Sequence, residues 1–312
     1  MSSESQSPLI FQRNLWIGCF LVLALVGSGL LQSQPQLLGS SGAEIFGHAW
    51  VQWWHSDALP GWPSGTEWAI GATNWPVMDP LPTAIAAVLG KGLGLGFAWN
   101  AVVLMGVALC YWGGAFLAHR AGGVALLGAL GCSLSPVFLG SLASGLTEDA
   151  SLGILAFSFG YLFFPRKAHD RIRGAVLLGL SAWCGLYLAF MGALLALVYA
   201  VVAMLREKQD RWAVFLEWAK AGVVALAVAG AALVLMGDRL AGDGHGFGLP
   251  PIPEFEPLWQ LNPVRSADVA SFFMPGHPWV PEEALIRVHP VYFGWVLILC
   301  ALRAGKSGWW WL

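Results

Sequence analysis

Gly174-Ala-Val-Leu-Leu-Gly-Leu-Ser-Ala-Trp-Cys-Gly-Leu-Tyr-Leu-Ala-Phe-Met-Gly-Ala-Leu-Leu-Ala-Leu-Val-Tyr-Ala-Val-Val-Ala-Met-Leu205 contains no Asp, Glu, Lys, Arg or His. Arg166, Lys167, Arg171 and Arg173 precede it, and Arg206, Lys208 and Arg211 follow. A membrane-spanning helix needs about 20 apolar residues, so this run is too long for one crossing. It suits two short helices meeting near Cys184–Tyr187. Basic clusters at span ends favour the cytoplasm, and both clusters can lie there only if the chain crosses an even number of times between them. A helical hairpin satisfies that condition.

Working outward, further apolar runs fall at 15–31, 97–118, 122–142, 150–164, 212–236 and 290–302, with a shorter one at 81–90 that suits a re-entrant or interfacial helix. The composition agrees: 57% of the 312 residues are hydrophobic and 11% charged, against roughly 45–50% and about 25% in soluble proteins. The expected fold is an all-α, polytopic transmembrane helical bundle with long outer-face loops containing interfacial helices. The run at 15–31 reads as an uncleaved first span, because the segment before it carries a single cation, Arg13, and Gly27-Ser28-Gly29 is a poor cleavage site. The chain is read as one transmembrane domain over 1–312. Its last residues, Trp309-Trp310-Trp311-Leu312, resemble the opening of another span, so a C-terminally truncated chain is expected.

If the spans alternate, Arg13, Arg120, the two basic clusters, Arg303 and Lys306 share one side, which the positive-inside bias makes cytoplasmic together with the N-terminus. Lys91, Arg239, Arg265 and Arg287 fall outside, and Lys220 lies within a span close enough to its end to snorkel. A net charge of −2 and the lack of a long Lys/Arg run argue against a nucleic-acid partner. The five cysteines form no CxxC pair and read as buried hydrophobes. Phosphate-loop, GxGxxG, HExxH and GxSxG patterns are missing from the sequence, which removes support for ATP-driven transport, Rossmann cofactors, zincins and serine hydrolases.

This topology leaves two long outer loops, about 32–95 and about 237–289, and a short turn near 143–149. In the first loop, Glu44, His48, Gln52 and His55 share one helical stripe, with Phe46, Trp50 and Trp53 opposite. That pattern predicts an amphipathic helix in the outer interface whose polar stripe faces away from lipid. Glu44 and the imidazoles could form an acid/base or metal-binding face. Equally, Ser41-Gly-Ala-Glu44 fits a capping box, and His48 and His55 fit solvated surface histidines. Trp50, Trp53, Trp54, Trp62, Trp68, Trp75 and Trp99 suit an aromatic belt. Asp79-Pro80 is a natural N-cap with Pro at N1, and Thr147-Glu148-Asp149 reads as a cap and an acidic first turn for the run at 150–164. Acids from three loops are thus expected at one membrane boundary, where they could meet over one cavity. Arg265 and Arg287 run against the positive-inside bias and suit phosphate recognition.

In their order, the Glu44–Trp54 segment, Trp75-Pro-Val-Met-Asp79-Pro-Leu, Phe97-Ala-Trp-Asn100, Ser135-Pro136, Gly145-Leu-Thr-Glu148 and Asp268-Val-Ala-Ser-Phe-Phe-Met-Pro275 resemble the GT-C superfamily of integral membrane glycosyltransferases. The likeness is to bacterial polyprenyl-phosphate-sugar-dependent mannosyl- and arabinosyltransferases. It implies an inner-membrane enzyme acting on the outer face, with a lipid-linked sugar donor, membrane lipid around it, and a glycan, lipid or protein acceptor. It further implies catalytic roles for Glu44, Asp79 and Glu148, with Glu44 standing where such enzymes usually carry Asp, and substrate contacts from His48, Trp50, Trp54, Asn74, Arg265 and Arg287. A divalent cation such as Mg or Mn, held by Glu44, Asp79 or Glu148, is compatible with those carboxylates, although no residue is assigned as a metal ligand. A transporter or lipid flippase and a non-catalytic scaffold of the same fold remain open alternatives.

Overall fold

The computed structural model describes residues 8–30, 37–38, 45–59, 79–207 and 210–235, and the secondary structure elements among them are helical. They are α1 (Pro8–Leu30), α2 (Ile45–Ala58), α3 (Pro80–Leu93), α4 (Leu95–Arg120), α5 (Ala125–Ser133), α6 (Pro136–Ser144), a 3-10 turn at Thr147–Ala150, α7 (Ser151–Phe163), α8 (Asp170–Ser181), α9 (Leu186–Arg206) and α10 (Arg211–Leu235). Three of these, α4, α9 and α10, are long and apolar enough to cross a membrane. Their surfaces fit that solvent: Phe190, Leu194, Leu197 and Val198 of α9 and Val223 and Leu226 of α10 are exposed, an apolar face that water would oppose.

The run at 174–205 divides near the expected point, at the turn Ala182–Gly185, but unequally. The 21-residue α9 is long enough to cross, whereas the 12-residue α8 is shorter than a crossing requires, so the expected pair of crossings is not formed by these two helices. The run at 122–142 does not form one span. It breaks into α5 and α6 of 9 residues each, because Pro136 cannot donate to the preceding turn, and Ser135 restarts the helix by accepting the Phe138 N–H at 3.2 Å. At 1.5 Å per residue each half reaches only about 14 Å. The run at 150–164 yields the 13-residue α7, also shorter than a crossing requires. The expected span at 290–302, the loop at 237–289 and the C-terminal residues lie outside the described residues.

Helix α4 is the axis. Its Val103, Val107 and Tyr111 share a core with Leu15, Cys19 and Val22 of α1, Ala129 of α5 and Phe138 and Leu142 of α6. Small residues let neighbouring helices approach: a Cβ on Gly153 of α7 would overlap the Leu109 carbonyl carbon of α4, and one on Gly114 would overlap the Gly128 carbonyl oxygen of α5. A second core joins Leu162, Ala175, Ala196, Trp218 and Ala221 of α7 to α10. Cys19, Cys110 and Cys184 are buried free thiols, as their apolar surroundings suggested, and Cys132 is half-buried.

Among the described residues, Arg120 and the basic residues of 166–173 meet at one end of these helices. Arg120, at the last turn of α4, donates to the Asp170 carboxylate at 2.7 Å and to the Phe164 carbonyl at 3.2 Å, and it lies over the Phe116 and Tyr161 rings. Arg171 pairs with Glu217 of α10. Asp170 is fully buried. Burial alone would raise its pKa, but the Arg166 N–H, the Arg120 guanidinium and the Lys167 N–H outweigh it and hold the group at about 2. A carboxylate whose folded pKa lies below the unfolded value of about 3.9 gives stability that is present above pH 4 or so and is lost as pH falls towards 2. Asp170→Asn is therefore expected to lower the melting temperature at pH 7, where it strands the half-buried Arg120, and to narrow the gap to wild type as acid titrates the native carboxylate. Melting curves of both proteins from pH 7 to pH 3 test this; a constant gap would show that the ionised pair is not what Asp170 contributes.

Candidate functional site

At the opposite end, Pro80 opens α3 at the first helical position and leaves Asp79 as its N-cap residue, as expected. The carboxylate, however, caps nothing. Its Oδ1 accepts the Thr83 hydroxyl at 3.1 Å, its Oδ2 accepts the Thr147 hydroxyl, and Oδ2 lies 4.0 Å from His48 Nδ1. Thr83 is one turn along α3, so the same helix start that exposes Asp79 supplies its first partner.

Thr147 arrives from the other side. Gly145 adopts a left-handed conformation at φ 87° and closes α6 through Gly145 N–H to Leu142 O at 3.0 Å and Leu146 N–H to Ser141 O at 3.1 Å. This reversal delivers Thr147 and Glu148 in the 3-10 turn ahead of α7, so Glu148 is not in the first turn of α7 as the sequence suggested, and Thr147 spends its hydroxyl on Asp79 rather than on a cap. Glu148 Oε2 lies 3.6 Å from His48 Nε2. A fourth segment closes over it: a Cβ on Gly185, in the α8–α9 turn, would meet the Glu148 Cβ and carbonyl oxygen at 3.0 Å. The Leu81 N–H donating to Trp183 O at 2.8 Å ties that turn to the start of α3.

His48, Asp79 and Glu148 thus form one group whose ligating atoms all lie within 4.8 Å of one another. Asp79 is 1% exposed, and the side chains of His48 and Glu148 are 18% and 28% exposed, so the group has a sealed floor and an open rim. Burial pushes the Asp79 pKa up, opposed by His48 and by the Thr147 and Thr83 hydroxyls. Two carboxylates and an imidazole this close form a donor set suited to a divalent cation, and a buried carboxylate held by the Thr83 and Thr147 hydroxyls gains from such a charge.

Helix α2 is amphipathic in a different sense from the one expected. Its polar stripe turns into the protein: Gln52 and His55 are buried, and the His55 ring bonds the Val51 carbonyl oxygen at 2.8 Å. Burial holds the His55 pKa below the usual imidazole range, against that hydrogen bond, so His55 is a core residue and not a solvated one. Trp50 and Trp53 remain exposed, as an interfacial aromatic face requires, and Trp50 stacks parallel on Trp54 with centroids 6.2 Å apart. Trp99 departs from the expected belt: it is fully buried and donates to Leu38 O at 2.8 Å.

Two of the three acids expected to be catalytic, Asp79 and Glu148, therefore meet, and His48 joins them. Glu44, Asn74, Arg265 and Arg287 lie outside the described residues. Thr83 and Gly185 had no sequence signal that separated them from other helix and turn residues; Thr147 was visible only as a cap. Comparison with known protein families, curated proteins and solved structures gives no match. The chemistry of the site therefore rests on its own residues.

Proposed function

We propose that this chain is a membrane glycosyltransferase that moves a sugar from a polyprenyl-phosphate donor to an acceptor hydroxyl at the outer face. The observation that carries the reading is the convergence of His48, Asp79 and Glu148, from three segments separated in sequence, at the end of the helices remote from the basic clusters. A carrier would be expected to place ionisable groups near the midplane, but the interiors of α4 and α9 have none, and α10 carries only Glu217 and Lys220 towards its basic end.

In this mechanism Glu148, the most exposed of the three, takes the proton from the acceptor hydroxyl. The hydroxyl oxygen attacks the anomeric carbon as the bond from that carbon to the phosphate oxygen breaks, and the polyprenyl phosphate leaves with the electron pair. His48 lies between the carboxylates, 3.6 Å from Glu148 and 4.0 Å from Asp79, and holds Glu148 over the opening. Asp79, fixed by Thr83 and Thr147, orients His48 from below. A divalent cation held by His48, Asp79 and Glu148 would supply Lewis-acid stabilisation of the developing negative charge. The stacked Trp50 and Trp54 offer an apolar face for a sugar ring. The family resemblance implies instead that Glu44, four residues before His48, takes the proton from the acceptor hydroxyl, with Arg265 or Arg287 stabilising the leaving phosphate.

Transfer from a panel of radiolabelled polyprenyl-phosphate sugars in membranes containing the protein tests the reading. Glu148→Gln and His48→Ala are each expected to lower turnover about 100-fold or more, and chelation to do the same if the cation participates. Full transfer in both variants would remove this cluster from the chemistry. No transfer from any donor by folded protein would overturn the glycosyltransferase assignment.

A further inference from the structure

A second feature, independent of the outer chemistry, lies between α8, α9 and α10. Helix α9 leans on α7, with Gly192 against Leu155 and the Tyr199 hydroxyl donating to the Phe163 carbonyl oxygen at 3.1 Å. This leaves a cavity of about 690 Å³ between α9 and the other two helices. Small side chains line its walls, among them Ala196 and Ala200 on α9 and Ala221 and Ala225 on α10. On α9 the lining runs from Leu186 to Met204, about 27 Å of helix at 1.5 Å per residue, close to the thickness of a bilayer core. Leu197 and Val201, exposed at 60% and 47%, form a lip that opens sideways to the surrounding membrane. The groove holds no Asp, Glu, Lys, Arg or His in its lining, so it suits hydrocarbon.

Charge selects the occupant. At the basic end, Met204 lies two residues before Arg206, Phe215 lies four residues after Arg211, and Trp218 carries the Arg171 guanidinium 5.4 Å above its ring. The segments 165–173 and 206–211 hold seven Lys and Arg against three Asp and Glu. Of those acids, Asp170 is committed to Arg120, and Asp210 accepts the Ala213 N–H at 2.9 Å. Glu217 is committed to Arg171. An apolar slot ending in a basic rim matches a lipid with a negatively charged headgroup.

We propose that this groove is a binding site for an anionic phospholipid, with an acyl chain between α9 and α10 and the phosphate at the rim formed by Arg206 and Arg211. The lipid fills the gap that α9 leaves and ties three helices together at their basic ends.

The full chain, purified in mild detergent, is reconstituted in nanodiscs of mixed phosphatidylglycerol and phosphatidylcholine, re-extracted, and its retained lipid quantified by mass spectrometry. Wild-type protein is expected to retain phosphatidylglycerol several-fold above its share of the mixture. Ala225→Phe, which fills the slot, should cut retention of both lipids several-fold, while the double variant Arg206→Gln/Arg211→Gln should keep total lipid and lose the preference. A melting curve for each variant separates lost lipid from lost fold, and the charge variant leaves the packed walls untouched should Ala225→Phe fail to fold. Equal retention of the two lipids by wild type would overturn the proposal, as would unchanged retention in folded Ala225→Phe.

Discussion

Asp79→Asn is expected to abolish transfer while raising thermal stability at neutral pH, and the opposite signs of the two effects make it the most informative single change. Asn keeps the shape of the side chain and an oxygen able to accept from Thr83 or Thr147, so the start of α3 is preserved. What disappears is a charge at 1% exposure. Burial raises the Asp79 pKa above its unfolded value, so the native state holds the proton more tightly than the unfolded chain does, and stability is lost as pH rises through the folded pKa. Wild-type protein should therefore lose stability as pH rises above the ordinary carboxylate range, while Asp79→Asn stays flat and the two converge in acid. Relief of about 1 kcal/mol would raise the melting temperature by roughly 2–4 °C. Activity should fall by about 100-fold or more, because His48 loses the group that orients it. Manganese added to wild type should restore stability increasingly with pH, because the ion and the proton compete for one carboxylate, and should do little for the variant. A variant less stable than wild type at pH 8 would show that the carboxylate is there for structure and would remove the argument for a functional charge.

The sequence made the helical class and the break within 174–205 legible because apolar length and flanking charge are local signals. Alternation of spans put Asp79 and Glu148 on one side, but it counted crossings at 122–142 and 150–164 that the structure does not form. It could not bring them together. That depends on the left-handed Gly145, which re-aims Thr147 and Glu148, and on the break at Ser135-Pro136, which hydropathy averages away. Asp79, Thr147 and Glu148 each have sufficient capping explanations in isolation, and only the three-dimensional partners of the Asp79 carboxylate distinguish a cap from a site. His55 and Trp99 were misplaced for a related reason: periodicity identifies which residues share a stripe, but not whether the stripe meets water or another helix.

Gly153→Ala is expected to destabilise the protein, and Gly230→Ala to stabilise it slightly. Both residues lie in helices, where Ala is intrinsically better than Gly by about 0.5–1 kcal/mol, so propensity alone predicts two stabilised variants. Their surroundings differ. A Cβ at Gly230 meets nothing within 4 Å, whereas one at Gly153 falls on the Leu109 carbonyl carbon and the Cys110 nitrogen of α4. Backbone cannot rotate aside as a side chain can, so α7 must move away from α4, and overpacking of this kind costs about 1–3 kcal/mol. The displaced helix begins at Ser151, immediately after the turn that holds Glu148, and Gly185 already presses on Glu148 from the other side. Movement of α7 should thus open the distance between Glu148 and His48 and lower turnover as well as stability. The measurement is a paired comparison of melting temperature and sugar transfer for the two variants. Loss of both in Gly153→Ala with neither lost in Gly230→Ala would show that the α4–α7 contact sets the geometry of the site, whereas equal behaviour of the two glycines would mean that α7 does not pack on α4 as closely as the backbone contact requires.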